Sequence, residues 1–224
     1  PIDESPSLVK TADPFSTMLL SPFDDPWIPE TSYPNLPEYP YDFGIEREVT
    51  VLQTGQESYN WQVEDFEKPK EEDLIIYEVL IRDFDSERTF QNLIDRIDYF
   101  KDLNINAIEL MPVMEYEGNE SWGYNTAFHM SVDKFYGPEE KLKEFIDLCH
   151  QNGIAVIFDL VMNHVMGRSP MNRMWMNDPD GNGWGEPSEE SPYFNEIATH
   201  SYGLGNDFNH QSSYTQYYTQ RVVK

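Results

Sequence analysis

Apolar residues fall in short solid runs and in helical spacing from Leu74 onward, and the two patterns alternate. Residues 75–81, Ile-Ile-Tyr-Glu-Val-Leu-Ile, form a compact run rich in β-branched side chains, which predicts a buried strand. Phe90, Leu93, Ile94, Ile97 and Phe100 then recur at helical spacing, with Thr89 placed to cap the start and Asn104 to end it. Residues 106–111 read as a second strand closed by Pro112, and the stretch of about 25 residues after it is long enough to be expected to be a functional loop. Pro138 suits a first helical position; Leu142, Phe145, Ile146 and Cys149 share one face, and Gly153 stops the helix. Residues 154–158 make the third strand, with Asp159 at its carboxyl end.

Strand, helix, strand, helix, strand with solid apolar strands predicts parallel pairing under helical cover. A doubly wound dinucleotide fold would place a Gly-rich turn after its first strand; none is present there, and Gly181-Asn182-Gly183-Trp184-Gly185 follows no strand. A (β/α)8 barrel is therefore favoured, and a whole one takes eight units in about 250 residues. The expected fold class is α/β: a partial barrel of three βα units in residues 71–164, then an excursion after the third strand in residues 165–224. Residues 1–70 differ in kind, since ten of the sixteen prolines lie there. That density excludes helices and central strands. The interspersed Trp27, Tyr33, Tyr39, Tyr41 and Phe43 need cover, so an extended segment packed over a neighbour is expected, with one strand near residues 48–54. Both ends read as cuts: Pro1 follows no leader, and Lys224 falls inside a helical pattern without a stop signal.

Charge narrows the partners. Forty-one acidic against fifteen basic side chains give a net charge of −26, which repels phosphate backbones and sets nucleic acid aside, while a neutral sugar meets no such penalty. No apolar run approaches the roughly 20 residues of a membrane span, so no membrane partner is expected. The lone Cys149 forbids an intrachain disulfide and sits at a core position of its helix.

Reactive groups of a parallel barrel gather at the carboxyl ends of strands. Arg82 and Asp83, Glu109, and Asp159, Asn163 and His164 occupy those places, and a carboxylate directly after five apolar residues is costly unless it is paired. Residues 159–164, Asp-Leu-Val-Met-Asn-His, resemble the first conserved motif of the α-amylase family of retaining α-glucan enzymes, with Leu160 in place of the commoner Val. Ile76-Tyr77-Glu78 with Arg82-Asp83-Phe84, Ile108-Glu109-Leu110-Met111-Pro112, and Trp122-Gly123-Tyr124-Asn125 before Phe135-Tyr136-Gly137 are similar to further segments of that family, in the same order, so the resemblance covers residues 74–224. The first 70 residues resemble, more weakly, the end of the β-sandwich-like domain that precedes the barrel in branching-type members.

The resemblance implies cleavage of α-1,4 bonds in starch, glycogen or maltooligosaccharides through a covalent glycosyl-enzyme. Tyr124 would stack on the sugar before the scissile bond, beside Trp122. His164 would donate to a hydroxyl of the same sugar, and Asp159 would act in support, fixing the groups that orient the catalytic carboxylates. Asn163 matches a calcium ligand of some members, with a structural amide as the alternative, since many relatives lack that site. The nucleophile Asp, the acid Glu and a further Asp would come from the fourth, fifth and seventh strands, beyond Lys224, and Asp207-Phe208-Asn209-His210 is similar to the segment that precedes the fourth. Retaining chemistry takes two carboxyl groups about 5 Å apart, so the isolated chain is expected to be inactive. A transglycosylase of the same fold, either a branching enzyme or a trehalose-releasing relative, and a non-catalytic sugar-binding homologue are the alternatives. No cofactor is expected to be required.

Asp178, Asp180, Asn182 and Glu189 fit the spacing of a twelve-residue calcium loop with Gly183 at position 6, against flanks that disagree: Gly185 at position 8, prolines at positions 2 and 10, and no second helix. An ordinary polar turn is the competing expectation, with calcium possible. Export or a periplasmic location is expected from the domain order of similar proteins.

Overall fold

Close-spaced prolines leave little of the first 74 residues able to pair. In the computed structural model, which describes residues 10–41 and 46–224, β1 (Leu19–Leu20) and β2 (Val49–Thr50) pair antiparallel, and 3-10 turns occur at Asp25–Trp27 and Glu71–Asp73. This arm lies on the rest of the chain. Ala12 and Leu19 bury together with Ala127 and Phe128. The amides of Gln62 and Val63 donate to the buried Asp147 carboxylate at 3.1 Å, and Phe66 stacks flat on His150 at 4.0 Å. Of the aromatic residues expected to need cover, Tyr39 is buried and Tyr33 half-buried, whereas Trp27 and Tyr41 are exposed. Trp27 projects from a 3-10 turn none of whose side chains is buried. Phe43 lies outside the described residues.

The predicted alternation from residue 74 is present. After β3 (Ile76–Val79) come α1 (Ile81–Phe84), α2 (Phe90–Asp95), α3 (Ile97–Asp102) and β4 (Ala107–Leu110). β5 (Met114–Tyr116), β6 (Thr126–Val132), α4 (Glu139–Gln151) and β7 (Ala155–Phe158) follow. β3, β4 and β7 form one parallel sheet in that order, with Ile76, Ala107 and Ala155 in register at one end and Val79, Leu110 and Phe158 at the other. Phe90, Leu93, Phe100, Ile108, Leu110, Phe145 and Cys149 make a single core beneath it, each side chain worth about 1.5–3 kcal/mol of burial for the larger apolar residues. Burial pushes the Cys149 thiol up to about 12.

Four expectations change in detail. The first strand ends at Val79, and Ile81 opens the one-turn α1, so Arg82 and Asp83 sit on a helix and pair with each other at 2.7 Å. The single helix expected after Thr89 is two: Arg96 leaves the helical region, and the break lets Leu93 and Phe100 both bury completely. Thr89 caps α2 as expected, Asn104 takes a left-handed φ of 54°, and Pro138 falls one place earlier than predicted, at the cap of α4. The stretch read as a loop after Pro112 contains the antiparallel β5–β6 ribbon. Its strands escaped notice because Thr126, His129 and Ser131 interrupt the apolar pattern while being buried themselves.

Beyond the sheet, β8 (His164–Val165) pairs antiparallel with β9 (Asn206–Asp207), while α5 (Pro170–Met174) and α6 (Ser213–Val222) flank them. Val165, Met171, Phe194, Phe208 and Tyr218 close a second core. Charges are buried where the arm meets the β5–β6 ribbon and the turn carrying Arg168. Lys134 bonds Glu115 and lies 3.3 Å from Asp25. Asp133 is buried next in sequence. Arg168 reaches Asp24 at 2.5 Å and Glu48 at 3.7 Å. Desolvation raises Glu115 to about 7 and lifts Asp25 and Asp133 above the usual carboxylate range, against the pull of Lys134.

Candidate functional site

The parallel sheet delivers Asp159 directly after β7, its amide bonded to the Leu110 carbonyl at 3.0 Å. A six-residue arc then leads to His164 on β8. Opposite, the turn before β6 carries Trp122, Gly123 and Tyr124. Gly123 takes φ +93°, and a Cβ there would meet the Pro112 carbonyl oxygen at 2.3 Å, so the turn needs glycine for both conformation and space.

These elements bring Tyr124, Asp159 and His164 together. The Tyr124 hydroxyl donates to Asp159 Oδ2 at 2.6 Å, and His164 Nε2 lies 2.7 Å from the Tyr124 carbonyl oxygen, which can only accept, so Nε2 carries the proton. The bond to Asp159, then burial, then the fields of Asp159, Glu78 and Glu109 push the Tyr124 phenol up to about 12. Burial lowers His164, partly offset by its bond to Tyr124. His164 is 3% exposed and its Nδ1 is buried too, and as placed its Nε2 holds the Tyr124 backbone. Trp122 is 59% exposed and open to a ligand. Glu78 and Glu109 stand opposite each other in adjacent strands.

Asn163 donates its side-chain amide to the Tyr202 hydroxyl, and Tyr202 stacks flat on His200 at 4.0 Å. Asp207 gathers Asn195 and both the amide and the hydroxyl of Thr199 at 2.8 Å each. Burial would raise Asp207, but these bonds outweigh it and hold it below the usual range. Gly205 packs so close that a Cβ would lie 2.7 Å from the His164 ring. Tyr202, Gly205 and Asp207 were not singled out as site residues from the sequence. Asp207 was legible only as the first residue of the Asp207-Phe208-Asn209-His210 segment noted for its resemblance.

The proposed calcium loop is not assembled. Asp178 spends both oxygens on the amides of Asn182 and Gly183, at 3.0 and 2.9 Å, and Asn182 donates to Asp180. Glu189 is exposed, and among the described residues no group of three or more His, Cys, Asp or Glu side chains is placed to hold a metal ion. The residues do not fit a calcium ion as arranged; they form the polar turn.

Comparison with known proteins follows the same residues. The family described as the alpha amylase catalytic domain matches residues 79–221. The chain belongs to the α-amylase family. It is 34% identical over 155 residues to a malto-oligosyltrehalose trehalohydrolase of Saccharolobus solfataricus, covering 69% of this chain and 25% of that protein. It is 32% identical over 184 residues to a 1,4-alpha-glucan branching enzyme of Halothermothrix orenii, covering 76% and 28%. Among solved structures, a putative alpha amylase from Salmonella typhimurium superposes with a TM-score of 0.61 at 25% identity, covering 78% of this chain and 27% of the other. The chain thus spans about a quarter of the length of these α-amylase-family relatives. Its α/β sheet and the cluster at Tyr124 lie within or beside the matched region.

Proposed function

We propose that this chain supplies the sugar-holding wall of a retaining enzyme that cleaves α-1,4-glucosidic bonds. β3, β4 and β7 would be the first three strands of a (β/α)8 barrel, and the excursion through α5 and β9 would roof the cleft. The observation that carries the reading is the junction of Tyr124, Asp159 and His164 within hydrogen-bond distance at the carboxyl end of the sheet. Asp159 fixes the phenol and His164 fixes the backbone of the same residue, so the Tyr124 ring is held rigidly from two sides, as a stacking platform for the C–H face of a pyranose requires. Trp122 extends that platform toward solvent.

The carboxylates that break the bond are not among the groups clustered here, and in this reading they come from barrel strands beyond Lys224. A second reading keeps the site and changes the product: release of trehalose from a maltooligosyltrehalose, favoured by the 34% identity to a trehalohydrolase. Titration of the 224-residue chain with maltoheptaose tests the wall. Saturable binding is expected, weakened about tenfold in Asp159→Ala, which frees the Tyr124 hydroxyl; no saturable binding, or unchanged binding in the variant, removes the proposal. With the full-length protein, the products separate the readings: reducing maltooligosaccharides for the hydrolase, trehalose for its relative, and new α-1,6 branches for a transferase.

A further inference from the structure

His129 lies midway along β6, 4% exposed, and has no part in the contacts described so far. Its Nε2 sits 2.8 Å from the Val161 carbonyl oxygen and its Nδ1 3.3 Å from the Tyr218 hydroxyl. A carbonyl only accepts, so Nε2 bears the proton and Nδ1 receives the hydroxyl of Tyr218. Burial lowers the imidazole to about 4, with His164 pushing the same way, and the ring is neutral at ordinary pH. The same hydroxyl lies 3.3 Å from the Pro14 carbonyl oxygen, so its single proton is shared between that acceptor on the arm and His129 Nδ1.

Val161 is near the centre of the arc from Asp159 to His164. The backbone groups on either side of it are tied main chain to main chain: Asp159 to Leu110 at 3.0 Å, Phe208 to the Asn163 carbonyl at 3.0 Å, and Met166 to Thr126 at 2.9 Å. The middle of the arc is held by a side chain, and Val161 is itself buried. Without His129 its carbonyl would face a dry interior, and the arc would have reason to turn it elsewhere.

We propose that His129 is a positioning residue for the glucan site: it pins the Val161 carbonyl so that the arc presents Asp159 to the Tyr124 hydroxyl and His164 to the Tyr124 carbonyl, while Tyr218 locks its tautomer. The consequence for sugar binding rests on the α-glucan reading; the relay itself does not.

The test is nitrogen-15 NMR of the 224-residue chain with maltoheptaose as the probe. The wild type is expected to show His129 as one Nε2–H tautomer from pH 5.5 to 8. His129→Leu should move the Asp159 and His164 signals and weaken maltoheptaose at least fivefold. His129→Gln, whose amide N–H can reach the same carbonyl, should restore both to within twofold. Tyr218→Phe, which keeps the ring packing, should shift His129 Nδ1 alone by several parts per million, and it decides the tautomer lock if the leucine variant does not fold. An Nδ1–H tautomer, or a folded His129→Leu with unmoved signals, overturns the proposal, as does failure of the glutamine variant to restore them. If the wild type binds no maltoheptaose, the α-glucan reading falls, and the Asp159 and His164 signals still decide the relay.

Discussion

β6 and β7 invert what their sequences suggest. β7 reads Ala-Val-Ile-Phe, yet its residues are half-buried and Phe158 is exposed. β6 reads Thr-Ala-Phe-His-Met-Ser-Val, and Thr126, His129 and Ser131 are all buried. The apolar strand bonds to β4 along one edge, whereas the polar strand is enclosed by β5, the arm and α6, where Thr126 bonds the Gly123 carbonyl and His129 meets Val161 and Tyr218. Burial follows the surfaces that surround a strand, and polarity decides only what the surroundings must then provide.

The contrast can be broken hardest next to β6. Lys134→Met leaves Glu115, Asp25 and Asp133 together without a cation, and is expected to cost about 4 kcal/mol at pH 8 by chemical denaturation. The cost should shrink at pH 5, where carboxylates raised by burial take up protons; equal losses at both values would refute a charge origin.

The buried imidazole gives the next effect. Because folding lowers His129 to about 4, the unfolded chain binds its proton more readily, so its contribution is complete above about pH 6.5 and lost as pH falls toward 4. Relative to His129→Gln, the wild type should lose about 3 kcal/mol over that interval. Glu115, raised to about 7, acts with the opposite sign, its contribution present at low pH and fading as pH rises through 7, but it is common to both proteins and cancels in the difference. Parallel pH–stability curves would show that His129 is not held neutral.

The sheet yields the smallest contrast. Ile108, fully buried on β4, should lose about 3 kcal/mol on replacement by Ala, and Ile157, half-buried on β7, about 1 kcal/mol. Similar melting losses for both would mean that β7 is covered in solution.

What the sequence made legible follows from the same distinction. β3, β4, β7 and α4 announced themselves because apolar runs and helical spacing are local, and so did Thr89 at its cap. Tyr124, Asp159 and His164 were identifiable through motif resemblance, and they do meet. The β5–β6 ribbon was illegible because its identity depends on partners far along the chain: His129 on Val161 and Tyr218, and Glu115 on Lys134. The Asp178 loop left calcium and a polar turn as alternatives for the converse reason, since oxygen spacing along the chain cannot show that Asp178 faces amides of its own turn.

Cys149, fully buried on the inner face of α4 with its thiol held at about 12, is the sole sulfhydryl in 224 residues. It can react with a maleimide only when α4 lifts from the sheet. Its alkylation half-time is therefore a single-site clock for that opening, readable by mass spectrometry without any engineered label.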